Sequence, residues 1–183
     1  MTVSSDLDTR FRAAAVREGI VDVRYDVVDS PIGPLLAAQT DRGLARIFFS
    51  PDGADESLAR AFGVRVLRAP LDEVRRELDE YFEGRRTVFD LPLDLRVAPF
   101  HADVLRELAR VPYGRTTTYG TLAATVGRPR AARAVGTVMH TNPIPIVLPC
   151  HRVIGANGSL TGYGGGLHVK RALLELEGAM LPS

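Results

Sequence analysis

Residues 21–28, VDVRYDVV, alternate apolar and polar side chains, as a strand with one buried face does. Turn residues follow in DSPIGPLLAAQ before a short apolar run that predicts a second strand, and LARIFF over 44–49 predicts a third. The period then changes. DESLARAF over 55–62 fits a short helix, and LDEVRRELDEYF over 71–82 puts Leu71, Val74, Leu78 and Tyr81/Phe82 on one helical face, with Gly84 placed to end it. No catalytic constellation occurs in this half, whose residues read as scaffold. DLPLDLRVAP over 90–99 reads as a linker or terminal strand. The expected boundary lies near residue 93, with a scaffold domain over 1–93 and a second domain over 94–183.

The second half is helical in pattern. PFHADVLRELARV turns Phe100, Val104, Leu105 and Leu108 to one side, and PYGRTT follows as a turn. TYGTLAATVG fits a short helix with Thr117 or Thr118 as N-cap and Gly127 as its stop. RPRAARAVGTVMH begins a third helix, which TNP ends. Helix, turn, short helix, glycine turn and helix is the order of a helix-turn-helix unit. On the third helix Ala131, Ala132, Ala134 and Gly136 are small, while Arg128, Arg130 and Arg133 are interleaved with them. Close helix packing accounts for the small residues. It accounts less well for the arginines, which are able to reach phosphates or enter a base stack.

Charge sharpens this picture. The net charge of +1 hides an asymmetry: positions 1–93 hold 13 basic and 17 acidic residues, and positions 94–183 hold 10 basic and 5 acidic. No Asp or Glu occurs from Leu108 to Leu174, a stretch with eight basic residues, Arg115 among them. Such a segment suits a polyanion, because each cation near a phosphate releases a condensed counterion. The apolar fraction of 45% and charged fraction of 25% are those of a globular protein. A single cysteine forms no internal disulfide, and with four scattered histidines no metal site is expected. Asp6, Asp8, Arg10, Arg12, Arg17 and Glu18 leave no apolar stretch of signal-peptide length, and no run reaches membrane-spanning length. The expectation is a cytoplasmic protein without membrane contact.

The cysteine lies in NPIPIVLPCHRVIG. Pro143, Pro145 and Pro149 exclude a regular helix there, so the segment reads as extended and buried, with Cys150 at its end. A buried free cysteine is ordinarily inert packing. Three features weigh against that here: His151 and Arg152 follow at once, backbone breakers flank the segment, and Glu175 and Glu177 offer a carboxylate to orient a histidine. In an extended strand, adjacent side chains point to opposite faces, so His151 is expected to reach the thiol over a water. GSLTGYGGGL over 158–167 lacks phosphate-loop spacing and reads as a loop over a pocket or a plain turn, with Tyr163 in it.

PCHRVIG, preceded by AARAVGTVMHTNPIPIVL and followed by LTGYGGGL, resembles the O6-alkylguanine-DNA alkyltransferases, densely from about Phe100 to Glu177 and more loosely upstream. The resemblance implies a two-domain α+β protein. Its N-terminal domain would be ribonuclease-H-like with a small antiparallel sheet, and its C-terminal domain a helical, winged helix-turn-helix-like unit holding the active site. It implies that double-stranded DNA containing O6-alkylguanine, with O4-alkylthymine as a second candidate, binds through its minor groove with the damaged nucleotide flipped into a pocket. Cys150 would accept the alkyl group irreversibly, once per molecule. His151 would take the thiol proton through water, Glu177 would orient His151, Tyr119 would assist the leaving guanine, and Asn142 would organise the turn before the active-site strand. Arg133 matches the finger that fills the gap of the extruded base. Arg115, Thr118, Arg128, Arg130, Ala131, Ala132, Ala134 and Gly136 match the surface around it. Met139, Val153, Tyr163, Gly164, Gly165 and Lys170 would line the pocket. A monomer without cofactor is implied, its cooperativity on DNA left open.

Gly164 stands where family members often carry Ser or Ala, and His140 and Thr141 where basic or small residues are common. Two other readings compete. A non-catalytic helix-turn-helix protein that senses alkylated DNA or regulates transcription leaves PCHR without a task. A cysteine hydrolase leaves the basic segment unexplained and shows no oxyanion-hole pattern.

Overall fold

The computed structural model describes Arg10, Ala14, Ala15 and residues 17–63 and 65–180. Asp6, Asp8 and Arg12 of the charged N-terminal stretch lie outside the described residues. The chain runs β1 (Val23–Val28), β2 (Leu35–Thr40), β3 (Gly43–Phe48), α1 (Ala54–Phe62), β4 (Val66–Arg68), α2 (Asp72–Phe82), α3 (Pro99–Ala109), β5 (Thr117–Thr118), α4 (Tyr119–Thr125), α5 (Ala132–His140), a 3₁₀ turn (Cys150–Arg152), β6 (Val153–Ile154) and α6 (Leu167–Leu176). It divides into two compact units. One takes in residues up to Arg76 together with Leu91–Asp94, and the other takes Glu77–Asp90 and the residues from Leu95 onward.

The first unit is built on a four-stranded sheet in the order β3-β2-β1-β4. The three expected strands pair antiparallel, but β4 joins β1 in parallel, so the sheet is mixed rather than antiparallel. The cause is α1, which returns the chain between β3 and β4 so that β4 runs in the direction of β1. Val23, Leu36, Ala38 and Leu58 form a buried cluster, with Tyr25, Val27, Phe48, Phe62 and Val66 packed on it. Segment 91–94 closes against β3: Leu44 N–H donates to Pro92 O at 2.8 Å, and Asp94 N–H to Leu44 O at 2.9 Å. Gly43 makes this approach possible. At φ 137°, a Cβ there would sit 2.2 Å from Pro92 O.

In the second unit Pro99 occupies the first turn of α3, where its missing N–H costs nothing. Val104, Leu105 and Leu108 of α3, Val135, Val138 and Met139 of α5, and Val169, Leu173 and Leu174 of α6 are buried. Burial of each large apolar side chain contributes about 1.5–3 kcal/mol. Phe100, expected inside, is half-buried. β5 and β6 pair in parallel over two residues each, Thr117 beside Val153 and Thr118 beside Ile154. Among the described residues no helix is long and apolar enough to cross a membrane.

Candidate active site

The helix-turn-helix forms as its caps require. Thr118 is the N-cap of α4, its hydroxyl accepting from Thr121 N–H at 3.1 Å. Gly127 follows in the left-handed region at φ 73°, and Arg128 N–H donates back to Ala123 O at 2.8 Å. α5 then starts at Ala132, so Arg128, Arg130 and Ala131, expected on this helix, precede it in the turn. It exposes Arg133, Ala134, Thr137 and His140, while Ala131, Ala132 and Gly136 are half-buried. A Cβ on Gly136 would lie 3.9 Å from ring carbons of Tyr119, an ordinary contact, so packing there does not demand glycine. Arg115, Arg128 and Arg130 are exposed. The Arg128 guanidinium lies 5.4 Å from the centre of the Phe100 ring.

Between α5 and the cysteine, the backbone is held by one side chain. Asn142 Nδ2 donates to Leu148 O at 2.8 Å, and Asn142 Oδ1 accepts Ile144 N–H at 3.1 Å. Buried Ile146 inside this loop has φ 75°, an unusual value for a β-branched residue. The loop does not deliver Cys150 on a strand as expected. Cys150–Arg152 is a 3₁₀ turn, entered through Pro149 and leaving into β6. Successive side chains of a 3₁₀ turn diverge by about 120° rather than alternating between two faces. The strand argument for His151 pointing away from Cys150 therefore does not apply.

Glu177, which caps the C-terminus of α6, gathers the site. Its Oε1 accepts His151 Nε2–H at 2.8 Å, Tyr81 O–H at 2.8 Å and Arg152 Nη2–H at 2.9 Å. Its Oε2 accepts Arg152 Nε–H at 2.8 Å and Gly114 N–H at 3.2 Å. Burial alone would raise the Glu177 pKa, but the bonds from His151 and Arg152 outweigh it and bring it to about 2. Since an ionised carboxylate only accepts, His151 carries its hydrogen on Nε2. Nδ1 is then the free lone pair, buried and without a hydrogen bond among the described residues. Burial also lowers the His151 pKa, against the pull of Glu177, so the ring is neutral and able to accept a proton.

Cys150 is 5% exposed. Burial pushes its thiol up to about 11, while the Asn142 amide, the Lys170 ammonium and the Tyr163 hydroxyl favour the thiolate. Lys170 is fully buried, and its Nζ donates to Val153 O at 2.6 Å and Thr161 O at 3.2 Å. The Tyr163 ring stands edge-on to His151, with centroids 6.5 Å apart. Tyr119 Oη and Thr161 Oγ1 lie 2.6 Å apart, which ties α4 to the segment that Lys170 holds. Met139 and Val153 are buried, Gly165 is half-buried and Gly164 is exposed. Cys150, His151, Asn142, Tyr163, Lys170 and Glu177 are thus brought together, while Arg115, Arg128, Arg130 and Arg133 are exposed apart from them. Of the two carboxylates offered by α6, Glu177 holds the histidine. Arg152, whose closeness in sequence weighed against an inert cysteine, binds Glu177 and Val111 O instead of the thiol and lies 5.8 Å from the centre of the Tyr113 ring. Tyr81, Gly114 and Thr161 were not singled out by the sequence. For Tyr81 the available signal was a tyrosine at a core position, whose hydroxyl needs a partner.

A neutral, carboxylate-anchored histidine beside a protonated thiol is the arrangement of a nucleophile waiting for its base. Family models match both halves of the chain: residues 23–95 match the ribonuclease-like domain of 6-O-methylguanine DNA methyltransferase, and residues 99–179 match its DNA binding domain. A methylated-DNA–protein-cysteine methyltransferase from Methanosarcina barkeri is 41% identical, over 84% of this chain and 96% of the relative. The crystal structure of Mycobacterium tuberculosis O6-methylguanine methyltransferase is similar with a TM-score of 0.77 and 44% identity, over 88% of this chain and 96% of that one. A structure of the Mycobacterium tuberculosis protein in complex with DNA gives 0.77 and 43%, over 85% and 93% of the two chains. The chain belongs to the methylated-DNA–protein-cysteine methyltransferase family.

Proposed function

We propose that the protein repairs DNA by moving an alkyl group from O6 of guanine to Cys150, once per molecule. The observation that carries this reading is the buried thiol beside a histidine whose Nε2–H is fixed on Glu177 at 2.8 Å. The thiol proton passes over a bridging water to His151 Nδ1. The sulfur attacks the alkyl carbon, the S–C bond forms, the C–O6 bond breaks, and guanine leaves with a proton or hydrogen bond from Tyr119. The product is a thioether, which has no route back to the thiol in this site.

In this reading the C-terminal domain, from residue 94, does both the binding and the chemistry. α5 enters the minor groove of double-stranded DNA, the nucleotide flips out, and Arg133 fills the gap. Arg115, Thr118, Arg128, Arg130, Ala131, Ala132, Ala134 and Gly136 form the surrounding contact surface, and Met139, Val153, Tyr163, Gly164, Gly165 and Lys170 line the pocket. The protein works as a monomer in the reducing cytoplasm, where its one thiol stays free. Support comes from the acid-free basic stretch, the exposed arginines before and on α5, and the DNA complex of the Mycobacterium tuberculosis relative.

The test is incubation with a duplex containing O6-methylguanine, followed by mass analysis of the Cys150 peptide. A gain of one methyl group is expected. Cys150→Ser should lose transfer and keep DNA binding, and transfer retained by that variant would overturn the acceptor role. Tight binding with no mass change in the wild type would instead favour a protein that senses alkylated DNA without chemistry.

A further inference from the structure

Tyr81 packs as its place in the apolar stripe of α2 requires, with ring centroids 5.3 Å from Phe82, 5.3 Å from Phe89 and 6.1 Å from Tyr113. Packing does not account for its hydroxyl. That group donates at 2.8 Å to Glu177 Oε1, the same oxygen that accepts His151 Nε2–H. Tyr81 and His151 are fully buried and Glu177 is 5% exposed, so water does not substitute for these bonds. A carboxylate oxygen shared among donors is less basic toward each of them. We propose that Tyr81 is a positioning residue of the transfer site: through Glu177 Oε1 it fixes the His151 tautomer and sets how readily His151 takes up a proton. The inference rests on the transfer reading above, because it acts on the base which that reading assigns.

The surrounding charges leave this role to the hydroxyl. From the 3₁₀ turn, Arg152 grips both oxygens of Glu177 and, as a cation, disfavours a second positive charge on His151. From the turn after α3, Gly114 N–H binds Oε2, and the Tyr113 hydroxyl donates to Leu176 O at 3.1 Å. Tyr163 from the glycine loop, Cys150 and the Lys170 ammonium from α6 also stand near this site. Burial and the neighbouring carboxylate push the Tyr81 pKa far above the ordinary tyrosine value, so its hydroxyl donates at every working pH.

Tyr81→Phe keeps the ring and removes only this donor. Glu177 Oε1 then becomes more basic and favours the imidazolium form of His151. In single-turnover transfer from an O6-methylguanine duplex, the acid limb of the rate is expected to move up by about one pH unit, the size of one charged hydrogen bond. An NMR titration of the His151 ring should move with it. Phe82→Leu loosens the same helix end without touching the hydroxyl; it should lower the melting temperature and leave both curves in place. Fluorotyrosine at position 81 alone, a stronger donor, should move the ring titration to lower pH. Coincident curves for wild type and Tyr81→Phe, or an equal shift in Phe82→Leu, overturn the role. A wild-type protein that transfers no methyl overturns the transfer reading and this role with it, a result distinct from matching limbs on active proteins.

Discussion

Cys150 at rest is a poor nucleophile. A thiol pushed from 9.0 to about 11 is thiolate in roughly one molecule in ten thousand at neutral pH. In the proposed transfer, reactivity would depend on His151 taking the proton in the presence of substrate, which would protect a single-use thiol from stray electrophiles. Iodoacetamide should accordingly label Cys150 of the free protein at least about 100-fold more slowly than a cysteine peptide at pH 7, as followed by mass spectrometry. The base has its own signature. Because burial lowers the His151 pKa from 6.5, the neutral base persists as pH falls, and the acid limb of wild-type transfer should lie below pH 6.5. Glu177 acts on stability. Its pKa falls from 4.5 to about 2, so the ionised group stabilises the fold above 4.5 and that contribution is lost as pH falls toward 2. Glu177→Gln should cost about 3 kcal/mol in denaturant titrations at pH 7, with the gap to wild type narrowing through that acid window. The thiol, its histidine and the carboxylate were legible in the sequence because their spacing and neighbours are distinctive. Tyr81 was not: it lies 96 residues from its partner, and the helical period of α2 explains it as core without mention of its hydroxyl.

At the scale of elements, side-chain and steric devices shape the segments that matter. Asn142 supplies both ends of the strap around the loop before Cys150, and it holds Ile146 in a conformation that costs about 1–3 kcal/mol. Asn142→Ala leaves Leu148 O and Ile144 N–H without this partner. It should destabilise the protein by about 2 kcal/mol and slow methyl transfer, since a donor that favours the thiolate is lost as well. In the first unit, Gly43→Ala would drive a Cβ into the backbone at Pro92. A loss of more than about 2 kcal/mol is expected by thermal melting. The helices and their caps were readable, Thr118 and Gly127 among them, because a 3.6-residue period and a capping residue are strong local signals. Three-residue β4, two-residue β5 and β6, and the 3₁₀ turn at Cys150 were not. They are too short to show any period, and only their partners across the fold define them.

For the molecule as a whole, sequence charge and structure agree in direction. The acid-free stretch places Arg130 just before α5 and Arg133 in its first turn, both exposed. Duplex affinity should fall steeply and linearly on a log–log plot against salt, and a flat response would sink the phosphate-contact reading. Arg133→Ala should slow repair more than it weakens ordinary duplex binding, a comparison of single-turnover rate with equilibrium affinity. A two-part organisation was expected from the linker-like DLPLDLRVAP, and the chain does divide into two compact units. What no pattern revealed is that the second unit is discontinuous in sequence, because α2 passes from one unit into the other without a break in its helix. That discontinuity bears on how such a gene is free to be rearranged. A recombination crossover at the codon for residue 94 looks like a clean join between two cassettes. It would nonetheless separate Tyr81 from Glu177, and a hybrid would inherit a complete catalytic sequence motif with one of its hydrogen bonds encoded by the discarded half.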